Sequence, residues 1–365
     1  MTAAKTTSER KTLVFHIGDH KTGSTAIQHA FARGAVTLEG RKLLYPAKLS
    51  HNYLRAPARA LSAGTPQKKR EAAKETFAKL ADQVRRSDAD LVLISAEDLD
   101  TIPAARLRQI IDTWFSDTAD DIRIVSYVRP HAPRLVSSFA TNTKSGAFNE
   151  GTLEDFHHHL LAQQRLVYHP RFTALRDTFG EDFILRPMIR DRLHDGDVVR
   201  DFIRHGLGVD SFHLAPVPAV NETLGLEDLM RLKLLQQHHQ HLRQPLRRAL
   251  GWEFGHLLNT LPRPASSGRL ALHKSLAEEI RKTYLEDARA LDRDFFDGAS
   301  LLEADLDRAL CDAVDTAQSV DPADHLCDAE QRTLAAMATM VSEMLQQKEV
   351  DWPRVFRSRR LADLQ

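Results

Sequence analysis

Thr12-Leu-Val-Phe-His-Ile-Gly-Asp-His-Lys-Thr-Gly-Ser-Thr25 is the stretch from which the fold is read. Thr12 to Ile17 is a short apolar, β-branched run that ends at Gly18, the pattern of a buried strand running into a tight loop. From Ser24 to about Arg33 the residues turn helical. A loop between a strand and a helix offers backbone N–H groups and the positive helix end to an anion. Glycines let the backbone turn sharply, Lys21 supplies a point charge, and Ser24 and Thr25 supply hydroxyl donors at the helix start.

Outward from this loop the same alternation recurs. Gln67 to Arg86 is long, charged and periodic and predicts a solvated helix, with Thr65 and Pro66 as its N-cap and first position. Asp90 to Ser95 reads as a second strand closing in Ala96-Glu97-Asp98. Pro103 to about Phe115 reads as a helix, Ile122 to Val128 as a third strand, and Asp182 to Pro187 as a fourth. Strands alternating with helices predict an α/β fold with a central parallel sheet. From Leu193 onward the pattern is almost wholly helical, with Leu226, Leu229, Leu232 and Leu235 close to one helix face as core or a dimer contact. Leu276 to Leu291 and Asp324 to Gln347 predict further helices, and Leu261 to Gly268 a loop. The expected division is a core over 1–220 and a helical extension or subdomain over 221–365.

The 365 residues carry fifty basic and fifty acidic side chains, so no global field points to nucleic acid or membrane and any anion site is local. The two cysteines, Cys311 and Cys327, make no disulfide framework and suit a reducing compartment. Met1 to Lys11 is polar, without an apolar core of signal-peptide length, and no uncharged run approaches a membrane span. A cytoplasmic protein is expected.

Gly18 and Gly23 have the spacing of the nucleotide P-loop, Gly-x4-Gly-Lys-Ser/Thr, but Ser24 follows Gly23 and the lysine stands two places before it. His20-Lys21-Thr22-Gly23-Ser24-Thr25 instead resembles the 5'-phosphosulfate loop of sulfotransferases that use 3'-phosphoadenosine-5'-phosphosulfate (PAPS). That loop reads Pro-Lys-Ser/Thr-Gly-Thr/Ser-Thr, and His20 stands here for the common proline. The resemblance further implies an arginine just after a central strand and a serine about eight residues later, gripping the donor's 3'-phosphate. Arg129, after Tyr127-Val128, and Ser137 have that offset. Weaker similarity to bacterial members runs through Phe183 to Phe202 and the Asn221-Glu-Thr223 turn. The implied fold is a P-loop-like three-layer sandwich with a largely helical C-terminal part.

The implied reaction is sulfuryl transfer from PAPS to an acceptor, releasing 3',5'-ADP, with Lys21 stabilising the leaving oxygen and no metal required. The donor-binding set is Lys21, Thr22, Gly23, Ser24, Thr25, Arg129 and Ser137. The base is expected after the second core strand, where the family carries histidine in its small-molecule branch and glutamate in its carbohydrate branch. Glu97 is the first choice there, with Asp98 and His20 as the other candidates; Glu97 tilts the acceptor towards a carbohydrate or glycolipid hydroxyl. Arg134 is expected to pack or pair, and Lys144 to be solvated or to add charge nearby. Ser50 to Gly64 and the region after Asn221 could shape an acceptor pocket; a homodimer is possible.

Two histidine clusters, His157-His158-His159 and His238-His239-Gln240-His241, invite a metal reading, but neighbouring helical histidines diverge and no His-Glu-x-x-His or cysteine accompanies them. Arg243, Arg247 and Arg248 read as a solvated face. Two other readings stay open. A nucleotide kinase or ATPase would want lysine after Gly23 and an aspartate ending a neighbouring strand, where Ser24 and Ser95 stand. A nucleotide-binding scaffold would keep the loop without turnover.

Overall fold

The structure, a computed structural model, describes residues 11–217, 224–262, 268–345 and 350–362. The strands are β1 (Thr12–His16), β2 (Val36–Leu38), β3 (Leu43–Leu44), β4 (Leu91–Ser95), β5 (Asp121–Val128), β6 (Phe183–Pro187) and β7 (Phe212–Leu214). In chain order the helices begin with α1 (Ser24–Ala32), α2 (Arg55–Ala60), α3 (Gln67–Arg86), α4 (Ala104–Trp114), α5 (His131–Ser145), α6 (Leu153–Ala162) and α7 (His169–Phe179). They continue with α8 (Val198–Asp201), α9 (Leu226–His238), α10 (Gln244–Thr260), α11 (Lys274–Phe295), α12 (Leu302–Cys311), α13 (Asp328–Leu345) and α14 (Trp352–Ala362).

The chain divides into two compact units, one of residues 1–129 with 170–218 and one of 130–169 with 219–365. This division runs differently from the one expected at 220, because 130–169 clusters with the C-terminal helices.

The first unit holds a five-stranded sheet of order β3-β4-β1-β5-β6, parallel throughout. Successive residues of a strand face opposite sides. Val14, Leu91, Leu93, Val125 and Tyr127 form one buried cluster with Ile27 and Phe31 of α1 and Val198 and Val199 of α8. Phe15, of the other parity, meets Phe115 just beyond α4, with ring centroids 5.3 Å apart and edge to face. Strands covered on both faces explain why β1 and β4 read as continuous apolar runs. A separate antiparallel pair, β2 with β7, was not expected from the sequence and interrupts the helical pattern after Leu193. The N-cap of α3 is Pro66, so the helix starts one residue later than its proline.

The second unit is helical apart from one isolated bridge between His273 and Val314 among the described residues. Leu226, Leu229, Leu232 and Leu235 are buried, so the stripe on α9 is core. Buried Gln236 donates its amide to the carbonyls of Lys144 and Arg247, tying α5, α9 and α10 together. A Cβ on Gly251 would lie 1.7 Å from the Lys144 carbonyl oxygen, so α10 can pass α5 this closely only with glycine there. Buried Asp292 accepts from the backbone N–H groups of Leu302 and Glu303 and caps α12. The Asn221-Glu-Thr223 turn and residues 263–267 of the expected loop lie outside the described residues.

Candidate functional site

The loop after β1 stays hydrogen-bonded to β5 as it leaves the sheet. Ile17 N–H donates to the Val125 carbonyl, Asp19 N–H to that of Tyr127, and Tyr127 N–H to that of Gly18. From here the chain runs towards the β3 side of the sheet, whereas beyond β5 it goes on to β6. Adjacent strands whose continuations part in this way leave a crevice at their carboxyl ends, the usual ligand position in an open α/β sheet. Arg129, the residue after β5, reaches across it and donates from Nη1 to the Lys21 carbonyl at 3.2 Å.

Lys21 itself holds a left-handed backbone conformation (φ 67°). Gly23 does likewise at φ 82° as N-cap of α1, and a Cβ there would lie 2.8 Å from a Val198 methyl. The loop is thus wedged between the start of α1 and α8, where only glycine fits at 23. The first turn of α1 contains no acidic side chain, which leaves its positive end available to an anion. The hydroxyls of Thr22 and Ser24, expected to face a ligand, are buried and donate to the Asp19 carbonyl, the second at 3.4 Å. Thr25 remains partly exposed at the helix start.

Around this loop lies an ionic cluster that the sequence did not announce. The Asp19 carboxylate is buried, accepts from His20 N–H at 2.6 Å, and pairs with Arg171 at 2.7 Å. Arg171 also stands 3.6 Å from Asp100. His20 Nε2 lies 3.4 Å from Asp98 and 3.5 Å from Asp100, and its Nδ1 lies 3.8 Å from Glu97. Burial disfavours charge on His20, but the hydrogen bond to Asp100 and the charges of Asp100, Glu97 and Asp19 outweigh it and raise its pKa. Arg171 and Asp19 are 152 positions apart, so no local sequence pattern announces the pair.

Glu97 and Asp98 stand on a 3₁₀ turn (Glu97–Thr101) directly after β4. Asn52 orients both, its amide 3.5 Å from the Glu97 carboxylate and its carbonyl oxygen accepting from Asp98 N–H at 3.4 Å. A cleft of about 430 Å³ includes Thr101 of this turn, with Ala58, Arg59, Ile102, Pro103 and Arg106 among its lining residues. Ala58 and Arg59 belong to the Ser50 to Gly64 segment expected to shape an acceptor pocket.

Below the turn, buried His16 bonds Ser95 Oγ at 2.8 Å, and buried His51 accepts from Ser95 N–H at 3.1 Å. Desolvation lowers the pKa of His16 to about 3 and of His51 to about 4; desolvation and Arg33 lower that of His29 to about 4. The unfolded chain protonates these imidazoles near 6.5, so it binds more protons than the fold throughout this window, and stability is lost as pH falls from about 6.5 towards 4. His20 acts oppositely: its contribution is complete below 6.5 and is lost as pH rises through its elevated folded pKa. Denaturant unfolding at pH 7, 6 and 5 is therefore expected to show falling stability below 6.5, and a flat profile there would contradict the buried neutral histidines.

Of the remaining expected residues, Ser137 is half-buried on α5 and belongs to the second unit. Arg134 is buried on the same helix, and the ammonium of partly exposed Lys144 lies over the Trp252 ring at 4.2 Å. His239 is buried against Ser342, whereas His157 and His158 both face Glu279. Cys311 and Cys327 are exposed free thiols. No helix among the described residues is long and apolar enough to cross a membrane. In comparisons with known proteins, no family model, no curated protein and no solved structure matches the chain.

Proposed function

We propose that the chain is a sulfotransferase that moves the sulfuryl group of PAPS to an acceptor hydroxyl, a carbohydrate or glycolipid hydroxyl being favoured. The reading is carried by one observation: the Lys21–Thr25 loop, at the positive end of α1, is joined through its Lys21 carbonyl to Arg129 in the crevice beyond β1 and β5. That arrangement supports a P-loop-like phosphate cradle in which loop N–H groups and Lys21 meet the 5'-phosphosulfate. Arg129 would hold the 3'-phosphate.

In the proposed step Glu97 accepts the acceptor's hydroxyl proton. The freed oxygen attacks sulfur in line as the bond from sulfur to the bridging phosphate oxygen breaks. The electron pair leaves with 3',5'-ADP, and Lys21 stabilises the charge growing on that oxygen. The carboxylates of Asp100, Glu97 and Asp19 raise the pKa of His20 against its burial and so favour its protonated form, which has no lone pair; this supports Glu97 over His20 as the base.

The test is transfer of label from sulfur-35 PAPS to a panel of hydroxylated glycans and glycolipids, with 3',5'-ADP release measured alongside. Lys21→Ala keeps a residue with the same left-handed backbone cost but removes the charge. It is expected to slow transfer by about 10²–10³-fold, the usual loss when one preset donor to a developing anion is deleted. An unchanged rate in Lys21→Ala would overturn the assignment.

A further inference from the structure

We propose that His157, His158 and Glu279 form a binding site for a divalent transition-metal ion in the second unit, with Zn²⁺ the ion best suited to their donors. Adjacent histidines on a helix point apart, and the sequence pattern alone argues against a shared ligand. Glu279 alters that geometry. From the second turn of α11 its carboxylate reaches α6 so that one oxygen, Oε1, lies 3.1 Å from His157 Nδ1 and 3.0 Å from His158 Nε2. All three donor atoms lie within 4.8 Å of one another. Ligands sharing a zinc ion at about 2.0–2.2 Å stand roughly 3–3.5 Å apart, so these separations are those of neighbouring ligands.

An independent observation concerns His157. Its side chain is completely buried, yet neither ring nitrogen has a hydrogen-bond partner. Buried imidazoles ordinarily satisfy at least one nitrogen. Nδ1 faces the Glu279 oxygen without the alignment that a hydrogen bond needs, whereas His158 bonds the same oxygen directly. A cation between the three atoms would satisfy the orphaned nitrogen and the carboxylate together.

The surroundings hold the donors in place. Tyr284 packs edge-on against the His157 ring with centroids 5.7 Å apart, and Glu154 of α6 bonds His273 at the N-cap of α11. His158 and Glu279 are 61% and 40% exposed, which gives an ion a path from solvent and leaves a coordination position for water. Two histidines and one carboxylate are a donor set with which Zn²⁺ commonly keeps such a position. This site is independent of the sulfotransferase reading.

The experiment strips the full chain with a chelator and titrates Zn²⁺ in competition with a chromophoric chelator, with Co²⁺ absorption reporting coordination. Wild type is expected to take up one equivalent in competition, to give visible Co²⁺ bands, and to gain several degrees in Tm with excess Zn²⁺. Glu279→Gln and His158→Asn, both at solvent-accessible positions and checked for folding by circular dichroism, are each expected to weaken binding by at least about tenfold. The proposal is overturned if wild type takes up no ion, or if both variants bind with wild-type affinity, since other histidines would then be responsible.

Discussion

Glu97→Gln is expected to slow sulfuryl transfer by about 10²–10⁴-fold, the range for losing a positioned general base, while leaving 3',5'-ADP affinity near that of the parent. Glutamine keeps the shape of the side chain and can still meet the Asn52 amide, now 3.5 Å from the carboxylate. What disappears is the lone-pair basicity and the charge. The charge has a second readout, because Glu97 helps to raise the pKa of His20 from 3.8 Å away. The His20 resonance should therefore titrate at lower pH in the variant. If Glu97→Gln turns over normally and Asp98→Asn does not, the base is Asp98, the neighbouring carboxylate on the same turn.

A second large effect is expected at Asp201. Its carboxylate is fully buried and takes Arg186 Nη2 at 2.7 Å and Nε at 3.1 Å, the Tyr127 hydroxyl at 2.7 Å and His194 N–H at 3.0 Å. Burial works against the ionised carboxyl, but these donors and the Arg186 charge overcome it and lower its pKa. Asp201→Ala would strand a guanidinium, a hydroxyl and an amide together. The expected cost is about 3–5 kcal/mol, as for other buried ion pairs broken on one side. Denaturant midpoints measure it directly, and a loss below about 1 kcal/mol would show that water replaces the missing partner. The stabilisation is present above the ordinary carboxylate pKa and disappears as pH falls through the depressed folded value. Because Asp201 ends α8, whose Val198 abuts Gly23, 3',5'-ADP affinity should fall along with stability.

The sheet strands were legible because burial on both faces writes itself into sequence as uninterrupted apolar runs, at Thr12 to Ile17 and Leu91 to Ser95. The long helices were equally plain: α3 spans Gln67–Arg86, as its charged periodicity implies. Short elements were not. β2 and β7 are three residues each and stabilise one another across the chain, Val36 opposite Leu214, so neither carries a local pattern. The Lys21 loop could be found because its strand, glycines and helix start are contiguous. The Asp19–Arg171 pair and the Glu279 carboxylate beside His157 could not, since tertiary packing alone brings them together. Inward-turned Thr22 and Ser24 teach the same lesson: residue type indicates a donor, but the direction of that donor belongs to the loop's conformation.

The most direct test of the central claim is calorimetric titration of the full chain with 3',5'-ADP, ATP and 5'-AMP, with and without Mg²⁺, in wild type and Arg129→Ala. The account predicts that 3',5'-ADP binds preferentially and without Mg²⁺, and that removing the arginine weakens it by roughly 10–100-fold, the value of one or two charge-assisted hydrogen bonds. Preference for ATP with Mg²⁺, or no nucleotide binding at all, would contradict it.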